Sequence, residues 1–207
     1  MKKGMILFSV FMIVFLIPLS FAWSGSTHNL ISLAVLQEKF PDCMNEIKNG
    51  STYPDSTIKD FVNHHCGDNA EDCKPRIKAK EWLSKINGSD NCSIAFNMAV
   101  ASHYLADAYS PVHWNSFGDC HSQFEGYVNK NIEQGRKCWK CILNCIDKTG
   151  TTRNFIVNNS YIQETANNVA IGLNLTMPFD NTNEECAPSI ADFIQQFFDF
   201  ISEIFHF

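Results

Sequence analysis

The chain has 207 residues, 45% of them hydrophobic, with a formal charge of −6. That length suits one domain or a small pair, with room for one substantial core. The acidic balance supplies no general electrostatic pull toward nucleic acid or an anionic membrane.

Lys2 and Lys3 precede an apolar run from Met5 to Ile17, Pro18 interrupts it, and Ser20-Phe21-Ala22 places small residues where a signal peptidase cuts. We expect residues 1–22 to be a signal peptide cleaved after Ala22; an uncleaved membrane anchor over Gly4 to Ala22 is the competing reading. The mature chain, 23–207, is expected to be secreted or extracytoplasmic, with 14 basic and 22 acidic residues and a charge of −8. All nine cysteines lie in it, which in an exported protein predicts disulfides; Cys138-x-x-Cys141-x-x-x-Cys145 as a metal cluster is the alternative. Five glycosylation sequons, at Asn49, Asn87, Asn91, Asn158 and Asn174, suit an exported surface.

Helical spacing predicts a helix over Asn29 to Phe40, while the Gly, Ser, Thr and Pro of Lys48 to Ser56 predict a loop. A short helix is expected over Ile58 to His64, a loop over Cys66 to Cys73, and a helix over Pro75 to Ile86. Ser93 to Tyr109 is apolar nearly all round, so it reads as a buried helix that Pro111 ends. A long helix is expected over His121 to Asp147, another over Tyr161 to Leu173, and a loop over Thr176 to Ser189. Ile190 to Phe207 has one apolar and one acidic half, the pattern of a helix closing the core rather than one lying on a membrane. The predicted fold is all-α: a compact, disulfide-stabilised multi-helix bundle with a metal site at its centre.

The metal prediction comes from the densest block of chemistry in the chain. His103-x-x-x-Asp107, His113 and His121-x-x-x-Glu125 fall within 23 residues. Residues four apart share one face of a helix, so each pair can converge on one ion. The central helix buries His103 and Asp107, and buried ionisable groups are costly unless paired or bound to metal.

With Trp23-x-x-x-x-His28 and His65 added in order, the pattern resembles the zinc-dependent phospholipase C family and its superfamily relatives, the fungal single-strand-specific nucleases. The resemblance covers essentially the whole mature chain by ligand order and is strongest over Ser102 to Glu125. It implies three zinc ions. One is held by His65, His103 and Asp107, with Asp55 as a further ligand or general base. The second is held by the amine and carbonyl of Trp23 with His28, sharing Asp107, and the third by His113, His121 and Glu125. His65 is chosen over His64 because a bulky residue and an acidic turn follow the family ligand, as Cys66-Gly67-Asp68 partly echoes. Asp55 is chosen over Asp60 as a loop aspartate ahead of the ligand histidine; its competing role is a turn or N-cap residue.

The implied reaction is hydrolysis of phospholipid or another phosphodiester by a metal-bound hydroxide, with Asp55 catalytic and transient contact with a membrane surface. Glu125 as last ligand is phospholipase-like, whereas the short Trp23–His28 gap is nuclease-like. Nucleic acid is the substrate only under that second reading, and a non-catalytic secreted zinc protein is a third. Cys66 departs from the aromatic residue that follows the ligand histidine in the relatives, and the short His113–His121 gap reduces the rim loop. Because Trp23 frees its amine only on cleavage, the precursor is expected to lack one metal.

Overall fold

The computed structural model describes residues 23, 25–67, 73–86, 88, 90–110, 113, 120–136, 139–146 and 150–178. The expected signal peptide, Pro111 and the C-terminal amphipathic segment lie outside these residues.

The described fold is mostly helical, as expected. Helix α1 spans Gly25–Leu36, and a 3-10 turn over Pro41–Cys43 leads into α2, Met44–Ser56. Helix α3 spans Lys74–Ser84, α4 Asn91–Tyr109 and α5 Cys120–Glu133. A hairpin of β1 (Lys140–Ile146) and β2 (Thr152–Asn158) follows, and α6 spans Ser160–Gly172.

Helix α4 is the axis, packed by α1, α2, α3 and α6. Its start is fixed by Asp90, whose carboxylate accepts from the Cys92 and Ser93 amides at 3.0 Å each, satisfying donors that the first helical turn leaves open. Its end is fixed by Ser110, which is extended (φ −74°, ψ 123°), the conformation a following proline imposes. Twelve of its residues are buried, Ala95 and every residue from Met98 to Ala108, so the all-round apolar reading holds. Ile31, Leu36, Ile47, Val100, Phe124 and Val169 complete one continuous core around it.

Three expectations are corrected. Residues 48–56 are not a loop but the body of α2. Gly50 lets α2 lie against α4 so closely that an added Cβ would stand 2.5 Å from the Phe96 carbonyl oxygen and 2.9 Å from the Ala99 Cβ. Tertiary packing thus uses the glycine that local propensity counts against a helix. Residues 58–64 do not form a helix: Lys59 is left-handed (φ 50°), and the Asp60 carboxylate accepts from the Val62 and Asn63 amides at 3.4 and 3.3 Å, a local bond that competes with helix. The long helix of 121–147 stops at Glu133. Gly135 (φ 63°) takes the left-handed position after it, and the Arg136 amide bonds back to the Asn131 carbonyl at 3.0 Å.

The chain then forms an antiparallel ladder, Lys140 opposite Asn158 through Ile146 opposite Thr152. Disulfides join Cys43 to Cys92, Cys66 to Cys73 and Cys120 to Cys145. The last removes Cys145 from any thiolate metal cluster and ties the hairpin to the start of α5. Such bridges suit an oxidising, extracellular compartment, and among the described residues no helix is long and apolar enough to cross a membrane.

Candidate metal centre

Helix α1 brings His28 and α4 brings His103 and Asp107; the last turn of α2 carries Asp55, and the loop after it carries His64. These five side chains meet at the centre of the molecule. Asp107 is fully buried and has four imidazoles around it. His64 Nδ1 lies 2.6 Å from its Oδ2 and His103 Nε2 3.4 Å, while His28 Nε2 and His113 Nδ1 lie 3.5 Å from Oδ1. Asp55 Oδ1 stands 3.4 Å from His64 Nε2 and 3.6 Å from His103 Nε2. Two donors bound to one zinc at 2.0–2.2 Å in tetrahedral geometry are separated by about 3.3–3.6 Å, the range most of these pairs occupy.

A separate convergence lies at the start of α5. His113 Nε2 and His121 Nε2 are 2.8 and 2.7 Å from Glu125 Oε1 and 3.1 Å from each other. The i, i+4 pairing read from the sequence brings His121 to Glu125, and the segment after α4 delivers His113 to the same point. Three groups of donors capable of holding ions result: His28, His103 and Asp107; Asp55, His64 and His103; and His113, His121 and Glu125.

One expected ligand changes. His64, not His65, faces Asp55, His103 and Asp107, whereas the His65 side chain is exposed beside the third group. The backbone accounts for the choice. The His64 carbonyl accepts from His113 Nδ1 at 2.8 Å and the Cys66 amide donates to the His113 carbonyl at 2.9 Å. With that register fixed, alternate side chains of the segment face opposite ways, and His64 faces in. Asp60, the rejected alternative to Asp55, is a bracket: it shapes the 60–63 turn and accepts from the buried Tyr104 hydroxyl at 2.7 Å. Trp23 is buried edge-on against Phe124, ring centroids 5.4 Å apart; its expected donors are backbone atoms, outside the three side-chain groups.

Two imidazoles are oriented by backbone carbonyls, His113 as above and His103 Nδ1 by the Ser51 carbonyl at 2.7 Å. A ring that donates Nδ1–H to a carbonyl presents Nε2 as a lone-pair donor, the outer-sphere arrangement of metal-binding histidines. Both aimed nitrogens point into the groups described above. Ser51 follows Gly50, so the close approach of α2 to α4 sets this contact; the sequence held the Gly-Ser pair but no local sign of its partner.

Electrostatics show what the cluster lacks. Burial alone would raise the Asp107 carboxyl, but His113, His103 and His28 outweigh it and hold it well below the carboxylate range. Burial, then the neighbouring His103, pushes His28 down, and burial also lowers His103 against the pull of Asp107. At His64 and His113 burial works the same way but loses to Asp107, aided by Glu125 at His113, which rises to about 9. Burial raises Asp55.

Both nitrogens of His28, His64 Nε2, Asp107 Oδ1 and Glu125 Oε2 are buried without a hydrogen-bond partner. A buried polar atom without a partner costs roughly 1–3 kcal/mol, so several in one cluster require compensation. The His28 and His103 rings are stacked at 3.6 Å, which disfavours charging both. Cations fit this deficit, because they take lone pairs from neutral imidazoles and carboxylates without adding protons. Imidazole and carboxylate donors without thiolate suit several first-row divalent metals, zinc among them. Comparison with protein-family models, curated proteins and solved structures finds no match to this chain.

Proposed function

We propose that this chain is an exported zinc-dependent phosphodiesterase that hydrolyses phospholipid phosphate esters in the manner of a phospholipase C. The observation that carries the reading is the linked set of three donor groups, two of them sharing His103, with partnerless lone pairs buried among them. The order of ligands along the chain, which resembles the zinc-dependent phospholipase C family, supports it.

Zinc bound there would lower the pKa of water toward about 7 and stabilise negative charge at a phosphate. His28, His64, His103 and Asp107 would hold the inner pair of ions, and His113, His121 and Glu125 the third. Asp55 is the catalytic residue of this reading. Its side chain is 23% exposed while its neighbours in the cluster are nearly closed off, so it meets solvent at the edge of the donor set. Burial raises its carboxyl in the metal-free protein and cations bound beside it would lower it again, so it is its place at the edge of the donors that suits it to orienting water and taking its proton. The Ser51 carbonyl keeps the His103 tautomer fixed throughout.

Lipid is favoured over nucleic acid by the turn that leads into His64. Ile58, Phe61 and Val62 are 44%, 65% and 65% exposed, an apolar rim beside the donors; the mature chain's charge of −8 opposes a polyanion only weakly, since bound zinc ions would reverse the sign locally.

The test is metal analysis of the cleaved chain together with hydrolysis of phospholipid vesicles and of single-stranded DNA. Close to three zinc ions per chain and release of a phosphorylated headgroup are expected. DNA cleavage without headgroup release would transfer the function to the nuclease reading. Three zinc ions with neither activity would make this a non-catalytic zinc protein.

A further inference from the structure

His65 stands apart from the inner cluster and is not needed for any of the three donor groups. Its ring nevertheless lies 5.1 Å from that of His113 and 5.1 Å from that of His121, and those two are 4.6 Å apart. Three imidazoles bound to one tetrahedral zinc through bonds of about 2.1 Å have ring centroids about 5.2 Å from one another. The triangle of rings is therefore about the size that a shared ion would impose, but the His65 nitrogens do not converge with the other three donors in this orientation, so the ring must turn to bring one in.

We propose that His65 is a fourth protein ligand for the ion held by His113, His121 and Glu125, able to close that site. The inference rests on the metal reading above. His113, His121 and Glu125 fill three of the four positions usual for zinc, which leaves the open position of a catalytic site; a fourth protein ligand makes the closed set of a structural site. His65 suits an exchangeable ligand because its side chain is exposed, so rotation toward or away from the ion displaces little packing. Its backbone is anchored on both sides, since the His64 carbonyl and the Cys66 amide both bond to His113. The imidazole is thus tethered at the rim of the group, in contact with the His113 and His121 rings on one side and open to solvent on the other. Two states follow: with His65 bound the third ion has no place for a phosphate oxygen, and with His65 released it has one.

The experiment measures zinc release from the cleaved chain to a coloured chelator, for the wild type and for His65→Ala and His65→Phe, with melting curves to confirm that each variant is folded. The ion held by His113, His121 and Glu125 is expected to leave at least tenfold faster in both variants. In a His121→Ala background, where His65 would be one of the three donors left with His113 and Glu125, adding His65→Ala should release that group's ion altogether, and an unchanged zinc count would overturn the proposal. Faster release in His65→Ala but not in His65→Phe would show that the ring only packs and would overturn the proposal. Unchanged release in both would overturn it equally. A wild-type chain that binds no zinc would instead refute the metal reading itself.

Discussion

Replacing Gly50 with alanine sets two effects against each other, and the structure decides the sign. In a helix interior alanine is favoured over glycine by about 1 kcal/mol. Here the new Cβ would stand 2.5 Å from the Phe96 carbonyl oxygen and 2.9 Å from the Ala99 Cβ. The nearer atom is helix backbone, so the clash can be relieved only by moving α2 away from α4. Overpacking of that kind costs about 1–3 kcal/mol, leaving a net loss of roughly 1 kcal/mol and up to about 2. For a domain of this size that lowers Tm by about 2–8 °C. The same movement withdraws the Ser51 carbonyl from His103 Nδ1, now 2.7 Å away, and losing such an outer-sphere partner weakens metal binding about 10–100-fold. Gly126 is the control: it lies in α5 and a Cβ there meets nothing within 4 Å, so Gly126→Ala should stabilise by up to about 1 kcal/mol. Thermal melts of the metal-free proteins and zinc titrations read both effects. A Gly50→Ala protein as stable as the wild type with undiminished zinc affinity would refute the reasoning.

Three further outcomes are expected. Asp107→Asn should reduce bound zinc below three ions, measured by metal analysis, with the ion of His113, His121 and Glu125 kept because that group forms without it; retention of all three would contradict the role of Asp107 in the inner cluster. Tyr104→Phe removes the hydroxyl that donates to Asp60 at 2.7 Å; a hydrogen bond to a charged group contributes about 1.5–3 kcal/mol, and denaturant melts should show a loss of that order, with weaker zinc binding as the turn before His64 loosens. Replacing Cys43 and Cys92 together by alanine opens a bridge spanning 49 residues, and loop-closure entropy places the cost at about 4 kcal/mol; calorimetry of the oxidised proteins measures it.

The sequence by itself determined the buried central helix, because a stripe of apolar residues on every face from Ala95 to Ala108 has only one stable environment. It also determined that His103 with Asp107, and His121 with Glu125, share faces, since spacing of four on a helix is a local property. The end of α4 before Pro111 was equally legible. The hairpin was not, although Asp147-Lys148-Thr149-Gly150 and the β-branched residues after it carry a turn-and-strand signal; the helical expectation for 121–147 ran over it. Tertiary structure alone decided the rest. Adjacent histidines at 64 and 65 are chemically identical in sequence, and only the backbone bonds to His113 turn His64 inward and leave His65 at the rim. Residues 48–56 have loop composition, and only the surface of α4 makes Gly50 an asset to a helix. The four imidazoles around Asp107 come from two helices and two intervening segments, so their convergence depends on contacts between residues up to 79 positions apart, His28 and Asp107, which no local pattern encodes.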